Sequence, residues 1–209
     1  MNLPRDNMRI CIWGDSITWG ARDTEKCGWA NRLRLFINNK VNKVTEVYNL
    51  GICGDDTHKL MARFELECEM RQPDIIIFAI GINDSSYIYS MNNSQVSLKQ
   101  FRENLNYLIN KATKYTRKIA VIGLTKVDEL ITNPVAWNAD RYYKNENIKA
   151  YDDVLQDIAE SNGFLYIHMF DLLSNEDLDD GVHPNSLGHE RMYERIKSKA
   201  QSLIKMAAV

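Results

Sequence analysis

Four short segments gather the residue types that transfer acyl groups. Gly14-Asp15-Ser16 offers a hydroxyl. Asp180-Gly181-Val182-His183 offers an imidazole three residues after a carboxylate. Asn83 offers a side-chain amide, and Gly54 a backbone N–H that a ligand can approach closely. A serine hydroxyl is a weak nucleophile until a neighbouring base takes its proton. His183, in a loop just before Pro184, suits that base: a bond from one ring nitrogen to Asp180 would set its tautomer and leave the other nitrogen for Ser16. Asp177 and Asp179 compete for the role of Asp180. An acyl-transfer intermediate carries an oxyanion that needs several aimed donors, and Asn83, Gly54 and the Ser16 amide are the three on offer. Each residue taken singly also has an ordinary role, as a loop serine, a turn asparagine or a turn glycine. The serine segment is not the G-x-S-x-G elbow, because Thr18 stands where that motif has glycine. Of the remaining histidines, His58 opens a helix near the site, His168 falls in a strand or at its end, and His189 lies in the last helix, on its surface or against the sheet.

These segments need elements to position them. Five apolar runs, at 8–13 (MRICIW), 44–50, 74–80 (DIIIFAI), 118–124 (KIAVIGL) and 164–169 (FLYIHM), read as strands buried on both faces. Helical stripes lie between them. Trp29, Leu33, Phe36 and Ile37 share one face. Leu60, Phe64 and Cys68 share another, with Thr57 as N-cap. Leu98, Phe101, Leu105, Leu108, Ile109 and Ala112 form the clearest stripe. Ile148, Tyr151, Leu155, Ile158 and Ala159 form the next, closed by Asn162-Gly163. A last helix follows Pro184-Asn185-Ser186, with Leu187, Met192, Ile196, Ala200 and Leu203 inward. Strand and helix alternate five times, which predicts a parallel sheet between helical layers. Ligands of such folds bind beyond the carboxyl ends of the strands, which is where the four segments fall.

Composition removes several classes. The 209 residues are 44% apolar and 26% charged, as in ordinary globular proteins, and no linker or repeat divides them, so one domain over 1–209 is expected. Lys+Arg 26 against Asp+Glu 28 lacks the basic excess of a nucleic-acid binder. No apolar run reaches the roughly 20 residues of a membrane span. The polar stretch 1–9 does not read as a signal peptide, so a cytoplasmic location is expected. The four cysteines, at 11, 27, 53 and 68, form no C-x-x-C. They read as small, buried or partly buried thiols.

Taken together, the four segments resemble the SGNH hydrolases, the GDSL-type esterase/lipase family. GDSI at 14–17 looks like the first block, and Asn49 through Gly54 with Thr57 (N-x-G-x-x-G-x-x-T) like the second. GIND at 81–84 looks like the third, and DGVH at 180–183 like the last. Four blocks in order are far more specific than GDS alone. The resemblance runs from about Arg9 to Ala200. It implies a three-layer α/β/α sandwich on a five-stranded parallel sheet, flavodoxin-like. It also implies a Ser16, Asp180, His183 triad and an oxyanion hole of Ser16, Gly54 and Asn83. Ile17 departs from the family's leucine, a conservative change. Cys53, beside the oxyanion glycine, reads as a small packed residue.

The expected reaction is hydrolysis of a small carboxylic ester, a short acyl chain or a carbohydrate acetyl group, through an acyl-enzyme and with no cofactor or metal. The long loop 125–143 follows the fourth strand and reads as a lid or pocket wall. Trp137 within it, with Trp19 and Tyr87, is expected to line the cleft. An acyltransferase on the same site and a silent binding module on the same fold are the alternatives. A flavin site or a metal held by Asp15, Asp180 and His183 is a weaker reading.

Overall fold

The computed structural model describes residues 7–41 and 45–205. In chain order it contains β1 (Arg9–Gly14), α1 (Ser16–Trp19), α2 (Gly28–Phe36), β2 (Glu46–Gly51), α3 (Thr57–Arg71), β3 (Ile75–Ala79), α4 (Ile82–Ser85), β4 (Tyr87–Ile88), β5 (Asn93–Ser94), α5 (Leu98–Ala112), β6 (Ile119–Ile122), β7 (Arg141–Tyr142), α6 (Asn145–Ser161), β8 (Leu165–Ile167) and α7 (Ser186–Lys205). Five strands form one sheet in the order β2-β1-β3-β6-β8, and every pair in it is parallel. Two sets of helices flank it. α2 packs on α7, while α3, α5 and α6 pack on one another in sequence.

The three central apolar runs become strands because both of their faces are covered: the neighbours Ile10 and Cys11, Ile75 and Ile76, and Ala120 and Val121 point to opposite faces and are all buried, whereas the edge strands β2 and β8 are largely half-buried. Burying a side chain of isoleucine size stabilises by about 1.5–3 kcal/mol relative to leaving it in water. Trp13 of β1 lies 4.8 Å from Phe64 of α3 and 6.3 Å from Phe78 of β3, ring centroid to centroid. Its indole N–H, which would be costly to bury alone, donates to Glu67 Oε2 at 2.7 Å.

The helical stripes hold with three changes. Asp56, not Thr57, caps α3: its carboxylate accepts from the Lys59 N–H at 3.0 Å. Leu98 and Leu187 are exposed rather than inward, because each sits in the first turn of its helix, before the helix has settled onto the sheet. His189 lies neither on the surface nor against the sheet alone. It is wholly buried, accepts from the Trp29 N–H at 3.3 Å and bonds the Ala21 carbonyl at 3.0 Å. Burial lowers its pKa, and a neutral ring with one donor and one acceptor satisfies both contacts. The expected strand residue Val44, the inward side chain of Leu203 and the first six residues of the polar N-terminal stretch lie outside the described residues.

A second, smaller sheet has no counterpart in the sequence reading. β4 pairs antiparallel with both β5 and β7, joining the chain after β3 to the end of the long loop. Segments of two residues carry no periodicity to read. The loop itself is closely tied. The Asp128 N–H donates to the Gly181 carbonyl at 2.9 Å, and the Thr132 hydroxyl donates to the Asp128 and Tyr143 carbonyls at 3.0 and 3.1 Å.

Candidate active site

The serine turn is built by close approach. Gly14, at the end of β1, pairs with Gly51 and Ala79 on either side. A Cβ on Gly51 would stand 2.4 Å from the Trp19 nitrogen and 2.8 Å from the Asp15 carbonyl oxygen, so only glycine lets α1 cross this edge. Asp15 caps α1 by accepting from the Ile17 N–H at 2.9 Å. Asn49 donates to the Thr18 carbonyl at 2.9 Å while its own carbonyl accepts from the Gly51 N–H at 3.0 Å. Ser16 is thereby held at the first position of α1, on the carboxyl edge of the central strand.

Sheet order brings the remaining residues to it. β1 lies between β2 and β3, so Gly54 after β2 and Asn83 after β3 flank Ser16. They are also tied together: Asn83 Nδ2 donates to the Asp55 carbonyl at 2.8 Å. Gly54 is exposed, with φ 78°, a region that glycine enters without strain. His183 returns from beyond β8, and its Nε2 stands 2.9 Å from Ser16 Oγ. Its Nδ1 lies 2.8 Å from Asp180 Oδ2. Both side chains of the pair are mostly shielded, with exposures of 18% for His183 and 14% for Asp180.

The competing carboxylates are committed elsewhere. Asp177 is buried, accepts from the Ser174 N–H at 2.9 Å and pairs with Arg191 at 2.7 Å. Asp179 faces Arg22 at 3.3 Å. Asp180 accepts from the His183 N–H at 2.8 Å and the Val182 N–H at 3.1 Å as well as from the ring. Burial opposes its ionised form, but the bonds from His183 and Val182 prevail and hold the carboxyl at about 2. Among the described residues, no group of three or more His, Cys, Asp or Glu could hold a metal ion.

Two further carboxyls lie under the site with the opposite shift. Burial pushes Asp15 up to about 7 despite its cap bond, and pushes Asp84 up to about 7 despite two bonds from Thr57. Thr57 Oγ1 donates to Asp84 Oδ1 at 2.5 Å, and Asn104 donates to the same hydroxyl at 2.8 Å. These contacts fasten the start of α3 to the segment that carries Asn83. In the unfolded chain both carboxyls ionise near 3.8, whereas the native state keeps them protonated to about 7. Their contribution to stability is therefore complete below the unfolded value and is lost as pH rises toward 7. Asp15→Asn keeps an acceptor for Ile17 but cannot ionise. Its melting temperature is expected to fall less than that of the wild type between pH 5 and 8, and parallel melting profiles of the two proteins would refute this.

The three expected cleft residues separate. Trp137 lies beside His183, with ring centroids 5.7 Å apart. Trp19 is exposed, but it lines a cavity of about 760 Å³ along the β2 edge with Arg34, Glu46 and Asn49. Tyr87 faces another cavity, of about 440 Å³, with Asn92, Lys144 and Asn147. Neither cavity is lined by Ser16 or His183. His58 is exposed. Cys27 and Cys53 are exposed rather than packed, and only Cys11 and Cys68 are buried. Partial burial still raises the Cys53 thiol pKa, which favours the protonated, less reactive form. Spacing alone assigns neither Arg141 nor the loop aromatic Tyr143 to Asn83, yet both reach its Oδ1, at 3.3 and 3.2 Å. An Arg and a Tyr in a long loop of mixed composition carry no periodicity of their own.

The parallel sheet with a serine, a histidine and a carboxylate in line at its carboxyl edge defines an acylhydrolase type of architecture. The chain belongs to the GDSL-like lipase/acylhydrolase family, whose sequence profile matches residues 12–191. It is 30% identical over 111 residues to the uncharacterized lipoprotein YqeF of Bacillus subtilis (strain 168), covering 51% of this chain and 44% of that protein. It is 27% identical over 124 residues to a multidomain esterase of Ruminococcus flavefaciens, covering 57% of this chain and 14% of that one. The matched stretch thus spans less than half the length of either relative. Among solved structures it is similar to Axe2, an acetylxylan esterase from Geobacillus stearothermophilus. The TM-score is 0.73 at 20% identity, over 92% of this chain and 93% of that one. It is also similar to LAE5, an α/β hydrolase enzyme from the metagenome of Lake Arreo, Spain, with TM-score 0.74 at 19% identity, over 94% and 96%. At such identities the likeness establishes the fold.

Proposed function

We propose that the protein hydrolyses small carboxylic esters, short acyl esters or acetyl groups on a carbohydrate, with Ser16 as nucleophile, His183 as general base and acid, and Asp180 as its partner. The observation that carries this reading is the continuous line from Ser16 Oγ through the imidazole to Asp180, at 2.9 and 2.8 Å. Ser16 Oγ attacks the ester carbonyl carbon as His183 Nε2 takes its proton. The carbonyl oxygen becomes an oxyanion facing the Ser16 and Gly54 N–H groups and Asn83 Nδ2. Collapse breaks the bond to the alkoxide, which leaves with the proton from His183. Water, deprotonated by the same nitrogen, then releases the acid and restores Ser16.

Substrate class rests on two supports. One is the acetylxylan esterase activity named for a structural neighbour. The other is the indole of Trp137 beside His183, a flat apolar surface suited to a short acyl chain or a sugar face. A p-nitrophenyl ester series from acetate to laurate, run beside an acetylated xylo-oligosaccharide, tests it. Activity confined to acetyl or other short esters is expected, whereas a rate that climbs with chain length would overturn the short-acyl reading.

Asn83→Ala should lower kcat by about 10²–10³ with little change in KM, because a donor aimed at the oxyanion acts in the transition state rather than in the ground state. Unchanged turnover would remove Asn83 from the oxyanion hole.

A further inference from the structure

Asn83 is held from behind in a way the triad does not require. Its amide oxygen takes two donors, Arg141 Nη1 at 3.3 Å and the Tyr143 hydroxyl at 3.2 Å. Its amide nitrogen gives one hydrogen to the Asp55 carbonyl at 2.8 Å. A guanidinium has no acceptor and a carbonyl has no donor. Turning the amide over would set oxygen against oxygen at Asp55 and nitrogen against nitrogen at Arg141. Only one orientation satisfies all three partners, and in it the second Nδ2 hydrogen is left for a ligand. Tyr143 is 2% exposed, so its hydroxyl needs a buried partner. Arg141 also bonds the Tyr143 hydroxyl at 3.4 Å and Gln95 Oε1 at 3.3 Å, which fixes the fork. Arg141 in β7 and Tyr143 just after it both reach Asn83, whereas the ring of Tyr142 between them meets Tyr87 at 6.5 Å.

From this geometry we infer that Arg141 and Tyr143 are positioning residues for the oxyanion hole. They lock the Asn83 amide with Nδ2 toward the reacting carbonyl, and the Arg141 charge on Oδ1 draws electron density from the amide and strengthens Nδ2–H as a donor. The small β5-β4-β7 sheet is the device that brings the end of the long loop against Asn83. This inference rests on the proposed role of Asn83.

Arg141→Met and Tyr143→Phe are each expected to lower kcat about tenfold, the worth of one such bond, with KM unchanged. Arg141→Lys should recover part of the loss. The double variant should approach the 10²–10³ loss of Asn83→Ala. In an Asn83→Ala background, neither substitution should cost anything further. Ser90→Ala is the control. It removes a bond that ties the turn between β4 and β5 to the residue before β7, from Ser90 Oγ to Asp140 Oδ2 at 2.5 Å, without touching Asn83, and should keep full kcat. Equal losses in the wild-type and Asn83→Ala backgrounds, or a matching loss in Ser90→Ala, would reduce Arg141 and Tyr143 to structural roles and overturn the inference. If wild-type protein neither turns over esters nor reacts with a serine-directed phosphonate, the esterase reading fails separately. The anchoring is then judged by proton exchange of the Asn83 side-chain amide in NMR spectra. Slow exchange that accelerates in Tyr143→Phe and Arg141→Met supports it, and unchanged exchange overturns it.

Discussion

Replacing Ser16 with alanine is expected to lower kcat on a small ester by on the order of 10⁶. Among the described residues, Ser16 Oγ has a single side-chain partner, His183 Nε2 at 2.9 Å. The backbone bonds that hold the turn, from the Gly20 and Ala21 N–H groups to the Ser16 carbonyl at 3.0 and 2.9 Å, do not involve the side chain. The variant should therefore fold with nearly wild-type thermal stability, and its loss of rate reports chemistry alone. Some acceleration over water should survive, because the oxyanion donors and substrate binding remain. A serine-directed phosphonate should add once to the wild-type protein, at Ser16, and not to Ser16→Ala. Folded Ser16→Ala protein that retained most of its esterase activity would end the nucleophile assignment.

Asp180→Asn should cost on the order of 10⁴ in kcat. Four N–H donors converge on Asp180: the His183 ring and backbone, the Val182 N–H and the Arg22 guanidinium, the last at 3.3 Å. An amide offers only one acceptor atom to them, and its nitrogen opposes whichever donor it faces. The imidazole then loses both the tautomer that frees Nε2 for Ser16 and the negative charge that stabilises its protonated form. The Arg22 contact matters less, because its side chain is 52% exposed and such pairs are worth about 0–1 kcal/mol. Asp180 also ties the site to acid stability. Its native pKa of about 2 lies below its ordinary 3.8, so its stabilising contribution is complete above 3.8 and is lost as pH falls toward 2. Acid titration of Asp180→Asn should show a shallower loss of stability over that window than the wild type. Asp180→Asn with wild-type kcat would show that another group partners His183.

Much of the architecture was legible because it depends on short-range patterns. Apolar runs such as 75–79 declare a strand buried on both faces, and Phe101, Leu105, Leu108 and Ile109 repeat at helical spacing. The family blocks pointed to Ser16, Asn83, Asp180 and His183 because each sits within a few residues of a strand end or in a short loop of its own. Their other members, Asn49, Thr57 and Asp84, turn out to be fasteners that hold the strand ends together.

The chain by itself determined the alternation of strand and helix, the order of the four chemical segments and the apolar faces, all of which are set by local periodicity and turn chemistry. Tertiary structure decided which carboxylate meets His183. Asp177, Asp179 and Asp180 are chemically alike; Arg191 claims Asp177, Arg22 stands 3.3 Å from both Asp179 and Asp180, and only the loop's path sets Asp180 against the imidazole. It also decided that Trp137, and neither Trp19 nor Tyr87, stands over the histidine. It brought Arg141 and Tyr143 to Asn83 through two-residue strands. Contacts between residues far apart in the chain have no signature in local spacing. They arise when burial and hydrogen-bond satisfaction are resolved over the whole fold at once.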